Sequence, residues 1–365
     1  MKRLHPTDVV MITTGVVLLA LIVYGSVVTL RSGTYTTAQW LDFVVAGVSQ
    51  GSVYALIALG YTLVYGILRM INFAHGEVFM GGAFTTYFVA QWLSLSECSR
   101  QAARDLPAGA CSAVAPLESH PLLVLLVLVL FSASVSLALA LVLERVAYRP
   151  LRDAPRLIPL ITAIGASFFL QYTFRGLYGS GIKAYPRVPA LEGAIMVFGV
   201  RILRTQAVVI GAAVLMMAAL FLFVQRTKTG QAMRAVSEDK EVAALMGIDV
   251  DRTIGITFAV GGALAGAAGV LYGLIFGQVH FFMGFLPGLK AFTAAVLGGI
   301  GNVPGAMLGG LFLGVAESVG PSLFLEGLGV PSPHQLKDAI AFGLLVLVLI
   351  FRPTGLLGEQ VSRRA

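Results

Sequence analysis

The sequence predicts an all-α, polytopic membrane protein. Three observations lead there. Of 365 residues, 57% are hydrophobic and 12% are charged, about half the share of roughly 25% in soluble domains. The mean hydropathy is +0.87. The apolar residues lie in continuous runs of about 20, the length of a spanning helix, and do not alternate over short segments as in a β-barrel. A soluble enzyme, a disordered chain and a disulfide-built secreted module are excluded, because each needs more polar surface or more cysteine than this chain carries. The 42 glycines and 15 prolines fit membrane helices, where both are more frequent than in soluble ones.

The runs follow in order. Lys2 and Arg3 precede Val9 to Leu30, too long for a signal peptide and read as an uncleaved helix with its N-terminus inside. Residues 1–38 form this extra N-terminal unit, ahead of a main domain over 39–358 and a cytoplasmic tail over 359–365. Trp40 to Leu68 is interrupted by Gly47 and Gly51 and ends at Arg69; Glu77 to Leu93 leads into a polar insert, 94–120. Pro121 to Leu143 ends in Glu144, Arg145, Arg149, Arg152 and Arg156. Leu157 to Phe174 and Gln206 to Val224 flank a polar loop, Gly176 to Thr205. A charged segment, 225–252, precedes Thr253 to Phe276, Leu289 to Glu317 and Leu336 to Phe351.

Nine crossings would leave Arg352, Arg363 and Arg364 outside. The run Leu289 to Glu317 carries Gly298-Gly-Ile-Gly-Asn-Val-Pro-Gly305 at its middle, through which no ordinary helix passes. Two short helices meeting there give about ten membrane segments, some broken or short, and an inside C-terminus. Asn72 leading to Gly81-Gly82 is weakly echoed by Asn302 leading to Gly309-Gly310, as in transporters built from two similar halves.

The net charge of +7 sits in short loops and does not form a basic patch interleaved with aromatics, so no nucleic-acid partner is expected. It reads as the positive-inside bias of a membrane protein, placing Arg145 to Arg156 and Arg226 to Arg252 in the cytoplasm. Lys183, Arg187, Arg201 and Arg204 run against this scheme, and Trp40 and Trp92 fall at the outer interface. Cys98 and Cys111 share the insert that the scheme puts outside. There they either close a small disulfide loop or stay thiols; with His120 as the further soft ligand, a metal site is not expected.

No catalytic constellation appears. There is no H-E-x-x-H, no G-x-S-x-G and no G-x-x-x-x-G-K-[ST], so the chain has no P-loop for ATP. Intramembrane acids are sparse, and neither Glu77 nor Glu317 has an obvious partner, which argues against an ion-coupled carrier. In 225–252, Ala232, Met233 and Val236 form one apolar stripe and Val242, Ala243, Leu245 and Met246 another, with Ser237 as a candidate N-cap and Gly247 as a C-cap. Apolar stripes in a charged loop call for a docking partner.

Several segments together resemble the permeases of ATP-driven (ABC) branched-chain amino-acid importers of the LivH type. They are Ala55-Leu-Ile-Ala-Leu-Gly-Tyr-Thr-Leu-Val-Tyr-Gly66 with Ile71-Asn-Phe-Ala-His-Gly-Glu77, Glu144-Arg-Val-Ala-Tyr-Arg-Pro150, Ala235 to Ile248, Leu289-Lys-Ala-Phe-Thr-Ala-Ala-Val-Leu-Gly-Gly-Ile-Gly301 continuing to Gly309-Gly310, and Arg352-Pro-Thr-Gly-Leu-Leu-Gly358. The resemblance implies a type II ABC importer permease in the bacterial inner membrane, with no enzyme activity or cofactor of its own. ATP would bind two cytoplasmic ATPase subunits, a second permease of the LivM type would complete the channel, and an extracytoplasmic binding protein would deliver leucine, isoleucine or valine. It implies coupling to the ATPase through Ala235, Glu238, Asp239, Ala243, Gly247 and Ile248. Asn72, His75, Glu77 and Asn302 are candidates for the pathway; Gly76, Gly81, Gly82, Gly305 and Gly309 are candidates for close helix packing. Phe73 favours amino acids over the alternative of urea or another small polar solute.

Overall fold

A computed structural model describes residues 6–92, 121–152, 154–155, 157–185, 188, 191, 193–197, 199–352 and 354–358. Cys98, Cys111 and the rest of the insert lie outside the described residues.

The long apolar runs are helices, as they must be where no water satisfies the backbone. They are α1 (Pro6–Ser32), α2 (Thr37–Leu68), α3 (His75–Trp92), α4 (Pro121–Leu143), α5 (Leu157–Tyr178) and α6 (Arg204–Arg226). After the short α7 (Lys228–Glu238) and α8 (Lys240–Leu245) come α9 (Val250–Phe276), α10 (Phe285–Gly298), α11 (Val303–Gly320) and α12 (Lys337–Phe351). Among the described residues, eight helices are long and apolar enough to cross a bilayer. The less apolar α3 and the 14-residue α10 fall outside that set. The break in Leu289 to Glu317 falls at residues 299–302, where Gly299 and Gly301 take φ of +105° and +96°, values that favour glycine.

Helix α2 is the centre of the bundle. From Val53 to Leu59 every side chain is at most 2% exposed, so a helix apolar on all sides is covered on all sides. α11 runs antiparallel along it: a Cβ on Gly310 would lie 2.5 Å from the Ala55 Cα, and one on Gly314 would lie 2.3 Å from the Gly51 Cα. α9 crosses α2 where Gly60 meets Gly261, and packs on α4 through Gly262 and Gly266. There Ser132 Oγ donates to the Gly266 carbonyl at 2.6 Å. α1 lies at the margin; within the bundle it meets Phe324 through Gly25 and Phe351 through Gly15.

The loop between α5 and α6 takes part in two small antiparallel pairings that periodicity does not announce, one with a strand after α9 and one within the loop. β1 (Lys183–Ala184) pairs with β4 (Gln278–Val279), while β2 (Ala194–Val197) and β3 (Val200–Leu203) form a hairpin. At the opposite end of the bundle, Arg152 bridges Glu144 and Asp251, and Arg149 also pairs with Asp251. The Leu356 and Leu357 amides donate to the Leu297 and Gly298 carbonyls at 2.8 and 3.0 Å, closing the end of α10.

Candidate functional site

Three polar arrangements stand out against the apolar bundle. The first surrounds Glu77 in the first turn of α3. Its Oε1 accepts from Gln171 Nε2 at 2.6 Å and from Ser167 Oγ at 3.2 Å, both on α5. Its Oε2 is buried without a hydrogen-bond partner among the described residues. The side chain borders a cavity of about 310 Å³ between α3, α5 and α10, with Tyr61, Phe73, Ser167, Phe168 and Phe285 among its walls.

The neighbours of Glu77 do other things. Asn72 Oδ1 accepts from the Tyr148 hydroxyl at 2.5 Å, tying the entry of α3 to the end of α4. His75 is 2% exposed, edge-on to Tyr61 with centroids 4.9 Å apart, and its Nε2 fills the space that a Cβ on Gly60 would need. Asn302 is remote from these: its Oδ1 accepts from the Gly305 amide as the N-cap of α11, and its Nδ2 donates to the Leu357 carbonyl at 2.8 Å. Of the four polar residues considered for the pathway, Glu77 is the one that borders this cavity.

The five candidate packing glycines sit at close approaches. A Cβ would lie 2.4 Å from the Gly284 oxygen at Gly76, 2.6 Å from a Leu139 methyl at Gly81 and 2.1 Å from Ser136 Oγ at Gly82. At Gly305 and Gly309 it would lie 2.4 and 2.2 Å from the Gly298 and Ala294 oxygens.

The second arrangement corrects the sequence reading, which found no partner for Glu317. Lys290 Nζ on α10 lies 3.0 Å from Glu317 Oε2 on α11 and 2.7 Å from Asp338 Oδ1 on α12. Tyr54 and Gln50 of α2 add hydrogen bonds to the same Glu317 oxygen at 3.1 and 3.0 Å. Lys290 and Glu317 are 4% and 3% exposed, so the charges are compensated inside the bundle. Lys290 lies in the Leu289–Gly301 segment, yet its partner is 27 residues away, across the α10–α11 turn.

The third is the α7–α8 loop. Ser237 does not cap a helix, as the sequence suggested; it lies inside α7, and its hydroxyl donates to the Arg234 carbonyl. The caps are Thr227, accepting from the Gly230 amide, and Asp239, accepting from the Glu241 and Val242 amides at 2.9 and 3.0 Å. A serine caps only with extended backbone at the start of a helix, and here that position falls two residues later, at Asp239. Gly247 takes φ +83° after α8. Ala243 is buried, and Ala235 and Ile248 pack on the core. Glu238 and Asp239 face solvent, beside Val242, Leu245 and Met246, which are 54%, 86% and 78% exposed. Arg69, in the left-handed region at the end of α2 (φ 56°), donates to the Ser237 carbonyl at 2.9 Å and ties this loop to the bundle.

Comparison with known proteins bears on what these arrangements serve. Residues 43–349 match the family model described as branched-chain amino acid transport system / permease component. The chain belongs to this permease family. It is 46% identical over 324 residues to the high-affinity branched-chain amino acid transport system permease protein BraD of Pseudomonas aeruginosa, covering 88% of this chain and 96% of that one. It is 43% identical to the LivH permeases of Salmonella typhimurium and Escherichia coli K12, covering 86% of this chain and 94% of each. No solved structure matches it. The chain is therefore a multi-pass membrane permease component, and α1 lies outside the matched residues.

Proposed function

We propose that this chain is the membrane subunit of an ATP-driven importer of leucine, isoleucine and valine in the bacterial inner membrane. The observation that carries this reading is the 46% identity to BraD over nearly the whole of both chains. Its partners are a second permease of the LivM type, two cytoplasmic ATPase subunits and an extracytoplasmic amino-acid-binding protein. ATP is bound by the ATPase subunits; this chain contributes no cofactor and no catalytic group.

In this reading α7 and α8 are the coupling element. Ala235, Ala243, Gly247 and Ile248 shape the element and seat it on the bundle. Glu238, Asp239 and the bare Val242–Leu245–Met246 surface meet the ATPase. Apolar side chains this exposed in a charged segment outside the lipid need a protein surface to cover them. Nucleotide-driven motion then reaches α2 through Arg69 and its bond to Ser237, and exchanges outward for inward access.

The test is purification of the tagged chain in mild detergent, with partners identified by mass, followed by leucine uptake in proteoliposomes. Recovery of an ATPase and a related permease, with uptake that needs ATP, is the expected result. Recovery of the chain alone, with uptake that follows an ion gradient, overturns it.

A further inference from the structure

The cavity beside Glu77 has the chemistry of a small amino-acid site. Its polar end is one carboxylate. Oε1 is held by Gln171 and Ser167, whereas Oε2 is buried and has no hydrogen-bond partner among the described residues. A buried carboxylate oxygen of this kind calls for a donor or a cation. That oxygen lies close against Gly284, whose missing side chain makes room for it: a Cβ there would lie 2.7 Å from it. Tyr61 apart, the other walls are mainly apolar, with Phe73, Phe168, Phe285 and Leu289 in the lining. At about 310 Å³ the volume is at the small end for ligand sites, too small for a nucleotide and suited to a compact aliphatic molecule. On α5 and α10 the walls that reach the surface, Ile164, Phe168 and Phe285, are 42%, 49% and 37% exposed, so the cavity opens sideways between these helices.

We infer that this cavity binds a branched aliphatic amino acid during passage, with the α-ammonium on Glu77 Oε2 and the hydrocarbon branch among the aromatic walls. The α-carboxylate stays toward the sideways mouth, away from Glu77. The arrangement selects for a cation joined to a short apolar chain, and disfavours acidic solutes, whose anionic groups would meet Glu77. The open mouth on α5 and α10 is then the face toward the second permease, because a pathway shared by two chains must open from each. This inference rests on the importer reading and adds a substrate site to it.

The experiment uses the complete transporter in proteoliposomes with its binding protein, and in detergent without it. In detergent, binding of radiolabelled leucine is challenged with isoamylamine, which keeps the ammonium and the branch, and with 4-methylpentanoate, which keeps the carboxylate and the branch. Isoamylamine is expected to compete, and 4-methylpentanoate to fail. Glu77→Gln and Ile164→Trp, which narrows the mouth from an exposed wall, are each expected to lower the uptake kcat at least tenfold. The KM for the loaded binding protein should hold, and Glu77→Asp should recover part of the rate. Gly165→Ala, adjacent in α5 with nothing within 4 Å of the added methyl, is the control. Co-purification of the partners reports assembly. If Glu77→Gln fails to assemble, Ile164→Trp and the competition series decide. Competition by 4-methylpentanoate equal to that by isoamylamine, or unchanged uptake in Ile164→Trp, overturns the site while the importer reading stands. A wild-type complex that does not accumulate leucine overturns the importer reading itself.

Discussion

Lys290 and Glu317 form a 3.0 Å ion pair in the interior of the bundle, joining the two helices of the broken α10–α11 hairpin. Asp338 on α12 and Tyr54 on α2 complete it, so four helices share one charge cluster. Removing one partner leaves a buried charge uncompensated, whereas removing both can be nearly neutral. Lys290→Met is expected to cost about 3–5 kcal/mol, and Lys290→Met with Glu317→Met to recover much of it. Unfolding of the purified protein under graded denaturing detergent would measure both. A double variant as unstable as the single one would mean that the pair is not the source of the loss.

The α2–α11 contact depends on the absence of side chains. Gly310→Ala must push the α11 backbone away from Ala55, since the nearest atoms are main-chain atoms that cannot swing aside. A cost of about 1–3 kcal/mol is expected for overpacking of this kind. Gly165→Ala, exposed to open space in α5, should be neutral or stabilise by up to about 1 kcal/mol through helix propensity. The same denaturation assay separates them, and equal effects would refute the packing argument.

On the coupling element, charge and capping can be told apart at Asp239. Its carboxylate caps α8 through the Glu241 and Val242 amides. Asp239→Asn keeps a good cap and loses the charge; Asp239→Ala loses both, at about 1 kcal/mol. If the charge meets the ATPase, both variants reduce ATPase co-purification. If the residue only caps, Asp239→Asn behaves as wild type.

Beside it, Leu245→Ser and Met246→Ser are expected to weaken ATPase association about tenfold, the scale of one interface anchor, with membrane insertion unchanged. Binding of the purified ATPase to variant-bearing proteoliposomes measures this. Undiminished binding would remove that surface from the interface.

At the other end of the bundle Tyr35 donates to Glu326 at 2.6 Å. That hydrogen bond raises the phenol above its ordinary value of 10.0, with burial and the carboxylate's charge adding to the shift. A raised pKa in the folded state means that the contribution is whole below pH 10 and is lost as the pH climbs through the folded value. In a spectrophotometric titration, Glu326→Gln should return one tyrosine equivalent toward the ordinary range. An unchanged titration curve would show that the contact does not govern Tyr35.

The crossings were legible because lipid imposes a length and a composition on each, and the break near Gly301 because glycine and proline cannot continue a helix there. Glu77 could be suspected from its isolation in an apolar stretch. What could not be read was which neighbour each polar group would meet. Lys290 finds Glu317 only once the chain has turned back at residues 299–302, and Gln171 reaches Glu77 from a helix 94 residues further on. Helix periodicity marked both stripes of the α7–α8 loop but could not say which one faces out. Ala243 turns inward and Leu245 outward on the same short helix.

The bonds from Leu356 and Leu357 to the end of α10 set an order on biogenesis. The carbonyls of Leu297 and Gly298 are made some 60 residues before the amides that close them. Synthesis proceeds at about 5–20 residues per second, so the hairpin spends seconds in the membrane with that end open. A nascent chain stalled before Leu356 would carry nearly every helix and still lack the clasp at the turn, giving cellular quality control a feature by which to tell an unfinished copy from a finished one.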